Sequence, residues 1–333
     1  MKTRVLFMGT PDFACGILQA LAELPFVELV GVVSQPDKKV GRQQKLQPTP
    51  VHALAQQMAL PVLQPEKIRT EYAEVLALNP ELIVTCAYGQ MVPEAVLNAP
   101  KYGCINVHAS LLPKYRGGSP MHTAIIQGET ESGVTIMQMV KKMDAGDMLA
   151  VKKVAIEAED TTEILHDKLM AAGAALLKEC LLDYIEGRIT PVPQDEAQVS
   201  FAWNITKEQE RIDFSKSGWQ IYNQIRGLIS WPVGYGVIAG QKMKFWGVRY
   251  REEKSGKPSG TILGFDETGM QVAAGEGMLI VTELQMEGKK RVSARDFYNG
   301  KGKQLIGCQL CWLKSVWRRQ KNELEGNLRM IRI

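Results

Sequence analysis

Short, mostly apolar runs mark the first two hundred positions, and alternating runs follow them. The mostly apolar runs at residues 4–8, 27–34 and 82–86 read as strands buried on both faces, 105–108 reads as a further strand, and 12–24 reads as a helix. Strands of this kind alternating with helices predict a doubly wound, largely parallel α/β sheet. Ile164, Leu165, Leu169, Leu176, Leu177, Leu181 and Ile185 fall near helical spacing, so a long helix over 161–186 closes a domain that spans 1–189. At Thr190-Pro-Val-Pro-Gln-Asp195 the pattern gives way to a proline-containing polar segment, which predicts a linker over 190–206. A helix over 217–228 and alternating runs at 235–238, 243–248, 260–263, 270–273 and 279–284 predict a small antiparallel β-barrel domain over 207–307.

Candidate chemistry concentrates at the end of the fourth run. Residues 104–120 read Cys-Ile-Asn-Val-His-Ala-Ser-Leu-Leu-Pro-Lys-Tyr-Arg-Gly-Gly-Ser-Pro. Side chains alternate faces along a strand, so Asn106 and His108 project to one side with Cα atoms ~7 Å apart, while Val107 turns into the sheet. The prolines and glycines that follow force a loop at the strand's carboxyl end, where open α/β sheets bind ligands. By itself Asn-x-His is also an ordinary packing pair. Its downstream company is a strand-like Gly133-Val-Thr-Ile-Met-Gln-Met139 leading into Asp144-Ala-Gly-Asp147, in which either acid is also a turn former. The first turn, Gly9-Thr-Pro-Asp-Phe13, lacks the glycine spacing that brings a backbone against a pyrophosphate, which disfavours a nicotinamide dinucleotide.

Composition narrows the class. The 333 residues, 45% hydrophobic and 23% charged, suffice for two cores, and no apolar run approaches the ~20 residues of a membrane helix. The N-terminus enters its first strand without a secretory segment, which predicts a cytoplasmic location. Six scattered cysteines form no disulfide framework, and buried thiols are the simplest account of Cys86 and Cys104. Cys308 and Cys311 have metal-ligand spacing without a second pair, so no metal is expected. The net charge of +4 hides an asymmetry: residues 1–200 carry 18 Lys+Arg against 23 Asp+Glu, and residues 201–333 carry 22 against 13. A basic second half fits a polyanionic partner or a solubilising surface.

Asn106, His108 and Asp144, joined to Ser110-Leu-Leu-Pro113 and Gly133-Val-Thr-Ile136, resemble the formyltransferases that use 10-formyltetrahydrofolate. Met8-Gly-Thr-Pro-Asp-Phe-Ala14, Gln35-Pro-Asp37, Gly41-Arg42, Pro48-Thr-Pro50 and Trp231-Pro232 after Arg226-Gly227 are similar to the branch that formylates methionyl-tRNA. The similarity runs over about the first three hundred residues, and several ordered motifs together are far more specific than any one. It implies a Rossmann-like catalytic domain followed by an OB-like tRNA-binding barrel, acting on initiator methionyl-tRNA in translation initiation; the chemistry needs no metal, and a monomer is expected. It assigns catalysis to Asn106, His108 and Asp144 and the lining of the folate pocket to Ser110, Leu111, Leu112 and Pro113. It selects Asp144 over Asp147. The polar insertion at 35–50 would reach the tRNA acceptor end, with Arg42 on phosphate or stem and Lys38, Lys39 and Lys45 adding long-range attraction. A loop from 87 to 93 offers a second wall to the pocket by strand topology alone. His52, His122 and His166 carry no assignment beyond surface or packing roles. From Cys308 the chain departs from the family, and 308–333 reads as a basic tail, frayed or helical.

Formyl transfer to an amine passes through a tetrahedral intermediate. Asn106 and His108 would stabilise its oxyanion, each such donor being typically worth ~3 kcal/mol, and Asp144 would orient the imidazole and a proton-relaying water. A formyltransferase acting on a small amine, or a formyltetrahydrofolate hydrolase, would keep this trio without needing the basic regions. An RNA-binding protein with a relict site would bind without turnover.

Overall fold

A computed structural model describes residues 2–40 and 44–310. Arg42, Cys311 and the tail after it lie outside these residues. The chain divides into two compact units, and the division is not a single cut: the second unit takes His122–Thr130 and Glu157–Ile164 together with the chain from Ile205 on, and the first takes the rest up to Asn204.

The elements of the first part of the chain are β1 (Thr3–Gly9), α1 (Asp12–Ala22), β2 (Val27–Val33), β3 (Lys38–Val40), β4 (Lys45–Gln47), α2 (Pro50–Gln57), β5 (Val62–Leu63), α3 (Ala73–Ala77), β6 (Leu82–Cys86), α4 (Glu94–Leu97), β7 (Cys104–His108), α5 (Pro120–Ile126), β8 (Glu131–Gln138), β9 (Met148–Ala155) and α6 (Thr162–Ile185). Seven strands form one sheet in the order β5-β2-β1-β6-β7-β8-β9. Strands β5 to β7 of that order run parallel, and β8 and β9 add on antiparallel. The all-apolar runs become the central strands because both their faces are covered: β6 is buried at every position. Val107 packs under the helices, where Gly173 of α6 lets the helix approach; a Cβ there would lie 3.2 Å from Val107 and 3.3 Å from Ile17. The opposite orientation is thereby left to Asn106 and His108. Cys86 and Cys104 are buried free thiols, and burial pushes the Cys104 pKa up to about 12.

Two segments are more ordered than a loop and a linker. The basic insertion forms the antiparallel pair β3–β4, with Lys38 opposite Gln47 and Lys39 opposite Leu46. Residues 194–204 form a strap on the first unit with a 3-10 turn at Glu196–Gln198, because Pro191 and Pro193 stop a longer helix but leave downstream backbone groups free to pair. The Arg116 N–H donates to the Ser200 carbonyl (2.9 Å), the Ala202 N–H to the Arg116 carbonyl (2.8 Å) and the Ser119 N–H to the Ala202 carbonyl (3.0 Å).

The second unit holds α7 (Gly218–Arg226), β10 (Tyr235–Ile238), β11 (Gln241–Arg251), β12 (Ile262–Asp266), β13 (Gly269–Ala274), β14 (Gly277–Met286), β15 (Val292–Ser293) and α8 (Ala294–Asn299). Its six strands form an antiparallel sheet in the order β10-β11-β14-β13-β12, with β15 paired to β14. Helix α7 starts at a capping box of Ser217 and Gln220 and buries Ile221 and Ile225 against Phe245, Leu279 and Val281. Residues 157–164 are tied to it: Arg226 Nη1 donates to the Asp160 carbonyl (2.7 Å) and the Thr162 hydroxyl to the Gly227 carbonyl (2.7 Å). Among the described residues no helix is long and apolar enough to cross a membrane.

Candidate active site

Strand β7 ends where the sheet turns from parallel to antiparallel pairing, and its last residues carry the amide and the imidazole. Asn106 lies in register with Thr85 of β6. The Thr85 hydroxyl donates to Asn106 Oδ1 (2.8 Å), so the amide oxygen is engaged and the Nδ2 donor is turned away from β6. Thr85 is itself buried in an apolar run, and nothing in the sequence pattern distinguishes it from a packing residue.

His108 is buried. Its Nε2 donates to the Tyr115 carbonyl at 3.1 Å, which directs Nδ1 toward Asp144 Oδ2 at 3.8 Å. That separation is an ion-pair distance and exceeds a hydrogen bond, so Nδ1 keeps its capacity for a reacting group or a relaying water. Of the two acids in the turn, Asp144 stands beside His108, while Asp147 contributes its backbone carbonyl to the Gln138 N–H (2.9 Å). Asp144 Oδ2 also accepts the Gly117 N–H at 2.8 Å. Asp144 has φ of 48°, and Tyr115 has φ of 62°, left-handed conformations that cost an L-residue on the order of 1 kcal/mol and persist where neighbours over-determine them. Gly146 must be glycine, since a Cβ would fall 1.9 Å from the Gln138 carbonyl oxygen. The structure thus brings Asn106, His108 and Asp144 to one place at the carboxyl end of β7.

The loop after His108 is fastened to β8. Thr135 Oγ1 donates to the Ser110 carbonyl (2.7 Å) and accepts the Leu112 N–H (3.1 Å), and the Ser110 hydroxyl donates to the Lys114 carbonyl (2.7 Å). Ser110 and Leu112 are buried, whereas Leu111 and Pro113 remain half-buried. Gly133 makes room for this loop, because a Cβ there would lie 2.3 Å from Leu111. In the loop after β6, the Tyr88 carbonyl accepts from the Thr10 hydroxyl (2.8 Å) and from Gln35 Nε2 (3.3 Å).

Lys38, Lys39 and Lys45 stand exposed on the β3–β4 hairpin. The base of the hairpin is pinned by Asp37, whose carboxylate accepts from His52 Nδ1 (2.9 Å), Gln64 Nε2 (2.8 Å) and the Thr49 N–H (3.2 Å). Burial pushes the Asp37 pKa upward, but hydrogen bonds from His52, Gln64 and Thr49, together with the His52 charge, outweigh it and hold the carboxyl below its ordinary value. His52 therefore braces the insertion. His122 donates to the Trp231 carbonyl (3.0 Å), with burial pulling its pKa down, and His166 packs edge-on to Phe13.

Comparison with known proteins matches residues 1–181 to the formyl transferase family and residues 204–302 to the formyl transferase C-terminal domain. The methionyl-tRNA formyltransferase of Bacillus velezensis is 50% identical over 305 residues, covering 91% of this chain and 96% of its own. The methionyl-tRNA formyltransferase of Bacillus cereus is 51% identical over 311 residues, covering 92% and 98%. Among solved structures the fold is similar to the sugar 3N-formyltransferase WlaRD, crystallised in the presence of dTDP and 5-N-formyl-THF, with a TM-score of 0.64, 19% identity and coverage of 87% and 100%.

Proposed function

The chain belongs to the formyltransferase family, and we propose from that premise that it moves the formyl group of 10-formyltetrahydrofolate to the amino group of methionine esterified to initiator tRNA. It is an enzyme of translation initiation. The half-sequence identity to methionyl-tRNA formyltransferases over nine-tenths of the chain supports the acceptor, and the meeting of Asn106, His108 and Asp144 carries the chemistry.

The neutral amine attacks the formyl carbon, a C–N bond forms, and the carbonyl electrons move onto oxygen. Asn106 Nδ2, left open because Thr85 holds Oδ1, donates to that oxygen, and His108 adds a second donor from Nδ1 when its ring carries both protons, Nε2–H being taken by the Tyr115 carbonyl. The proton shed by the attacking nitrogen passes by way of water to Asp144 and on to N10 of the folate as the C–N10 bond breaks. Tetrahydrofolate leaves and the formylated amine remains. The fastened loop bearing Leu111 and Pro113 offers an apolar edge to the flat donor. Lys38, Lys39 and Lys45, with Arg42, offer phosphate contacts, and the basic chain after residue 200 adds to the tRNA footprint. We take the enzyme to work in the cytoplasm as a monomer.

The deciding experiment supplies labelled 10-formyltetrahydrofolate with charged initiator tRNA or with small amines. Transfer to the tRNA-borne methionine is the expected result; label appearing only on a small amine overturns the reading. Light scattering of the purified chain reports the oligomeric state.

A further inference from the structure

Gln194 belongs to none of the motifs that carry the chemistry. It sits on the strap after α6, yet its side chain enters the turn that presents Asp144. The amide nitrogen donates to the backbone carbonyls of Asp144 (2.8 Å) and Gly146 (2.7 Å). The amide oxygen accepts from Nε (3.0 Å) and Nη2 (2.8 Å) of Arg116. Arg116 is fully buried, and its chain neighbours are Tyr115, whose carbonyl receives the His108 Nε2 donor, and Gly117, whose N–H holds the Asp144 carboxylate. One guanidinium and one amide therefore link the loop that seats His108 to the turn that seats Asp144.

The amide has a single workable orientation, because two arginine donors require oxygen on one side and two carbonyls require an NH2 on the other. Arg116 Nη1 is buried with no hydrogen-bond partner among the described residues. An unpaired buried donor costs about 1–3 kcal/mol, so packing alone does not favour this arrangement over an apolar one. The two carbonyls that Gln194 holds are those of the left-handed Asp144 and of the glycine that admits no Cβ. We propose that Gln194 is a positioning residue for formyl transfer: backed by Arg116, it fixes the backbone of the Asp144 turn and thereby sets the carboxylate against His108. This rests on the reading of Asp144 as the carboxylate of the reaction.

The test measures single-turnover transfer to methionyl-tRNA across pH, with folate affinity and thermal melting, in the full chain, Gln194→Glu, Asp144→Asn and the double variant. Gln194→Glu keeps the side chain's length and gives Arg116 a second carboxylate beside Glu196, which already accepts from Nη2 at 3.0 Å, while it turns oxygen toward the two carbonyls. The rate should fall about tenfold with folate affinity nearly unchanged, and the pH profile should move in the direction that Asp144→Asn moves it. The double variant should be no slower than Asp144→Asn, since Gln194 acts through that carboxylate. Losses that multiply in the double variant, or a normal rate and profile in Gln194→Glu, overturn the proposal. Should Gln194→Glu fail to fold, Gln194→Ala is read by the same criteria. A fully active Asp144→Asn with the parental pH profile instead removes the underlying assignment, and that result is visible without any change at Gln194.

Discussion

The carboxyl end of β7 and the β3–β4 hairpin lie on the same unit and are built in opposite ways. At β7 the side chains proposed to carry the chemistry are buried or half-buried, and each is held by a partner from another element: Thr85 on Asn106, the Tyr115 carbonyl on His108, and the Gly117 N–H on Asp144. On the hairpin the lysines are exposed, and the fixed point is Asp37 at the base. A transition state demands atoms placed to within a fraction of an ångström, because donors stabilise a developing charge only from the right position. Attraction of a phosphate backbone demands charge within reach, which flexible side chains on a short rigid support supply. The contrast predicts that substitutions at β7 act on rate and those on the hairpin act on affinity.

The largest effect should come from Asn106→Ala or His108→Ala, each depressing single-turnover transfer by about two to three orders of magnitude, with folate affinity held within a few-fold. Near-normal transfer in both would erase the distinction between the regions. Asp144→Asn preserves shape and removes charge; a loss of about ten- to a hundredfold with an altered pH profile is expected from stopped-flow or quench measurements. Full activity with the original profile would move the role to Asp147.

On the hairpin, replacing Lys38, Lys39 and Lys45 together by Gln should weaken tRNA binding about tenfold at physiological salt and lower the slope of log affinity against log salt by about 2 to 3. Transfer at saturating tRNA should stay at the parental rate. An unchanged slope would mean that these lysines are only solvated surface. The smallest effect concerns acid. Because the folded-state pKa of Asp37 lies below its ordinary value, its contribution to stability is present above about pH 4 and is lost as pH falls through the lower folded value. Asp37→Asn should flatten the acid limb of the melting curve's pH dependence, and an identical limb would show that the hairpin base contributes nothing to stability.

Legibility followed the same division. Strands β1, β2 and β6 are legible because burial leaves mostly apolar runs, β7 from its strand-like Ile105–His108, and α6 and five of the second unit's six strands from their periods, β15 being too short to show one. Strand β9 escaped, since Met148–Ala155 is half-exposed and carries lysines. The strap reads as a linker because prolines and polar residues mark chain breaks, whereas its pairing with residues 116–119 depends on backbone groups that leave no compositional trace. Asn106, His108 and Asp144 were conspicuous as chemistry-bearing side chains in ordered motifs. Thr85, His52 and Gln194 were not, because what gives them a task is the partner across the fold, and a residue type alone does not name its partner.

The two short stretches that the second unit draws from the first half of the chain also bear on synthesis. Arg226 reaches a carbonyl 66 residues earlier, and the Thr162 hydroxyl reaches a carbonyl 65 residues later. On a ribosome adding about 5–20 residues per second, the Glu157–Ile164 stretch emerges several seconds before the helix that satisfies it. During that interval the Asp160 carbonyl, the Thr162 hydroxyl and Ile126 lack the partners they have in the folded chain, so the second unit cannot be completed until residues beyond 227 have been made.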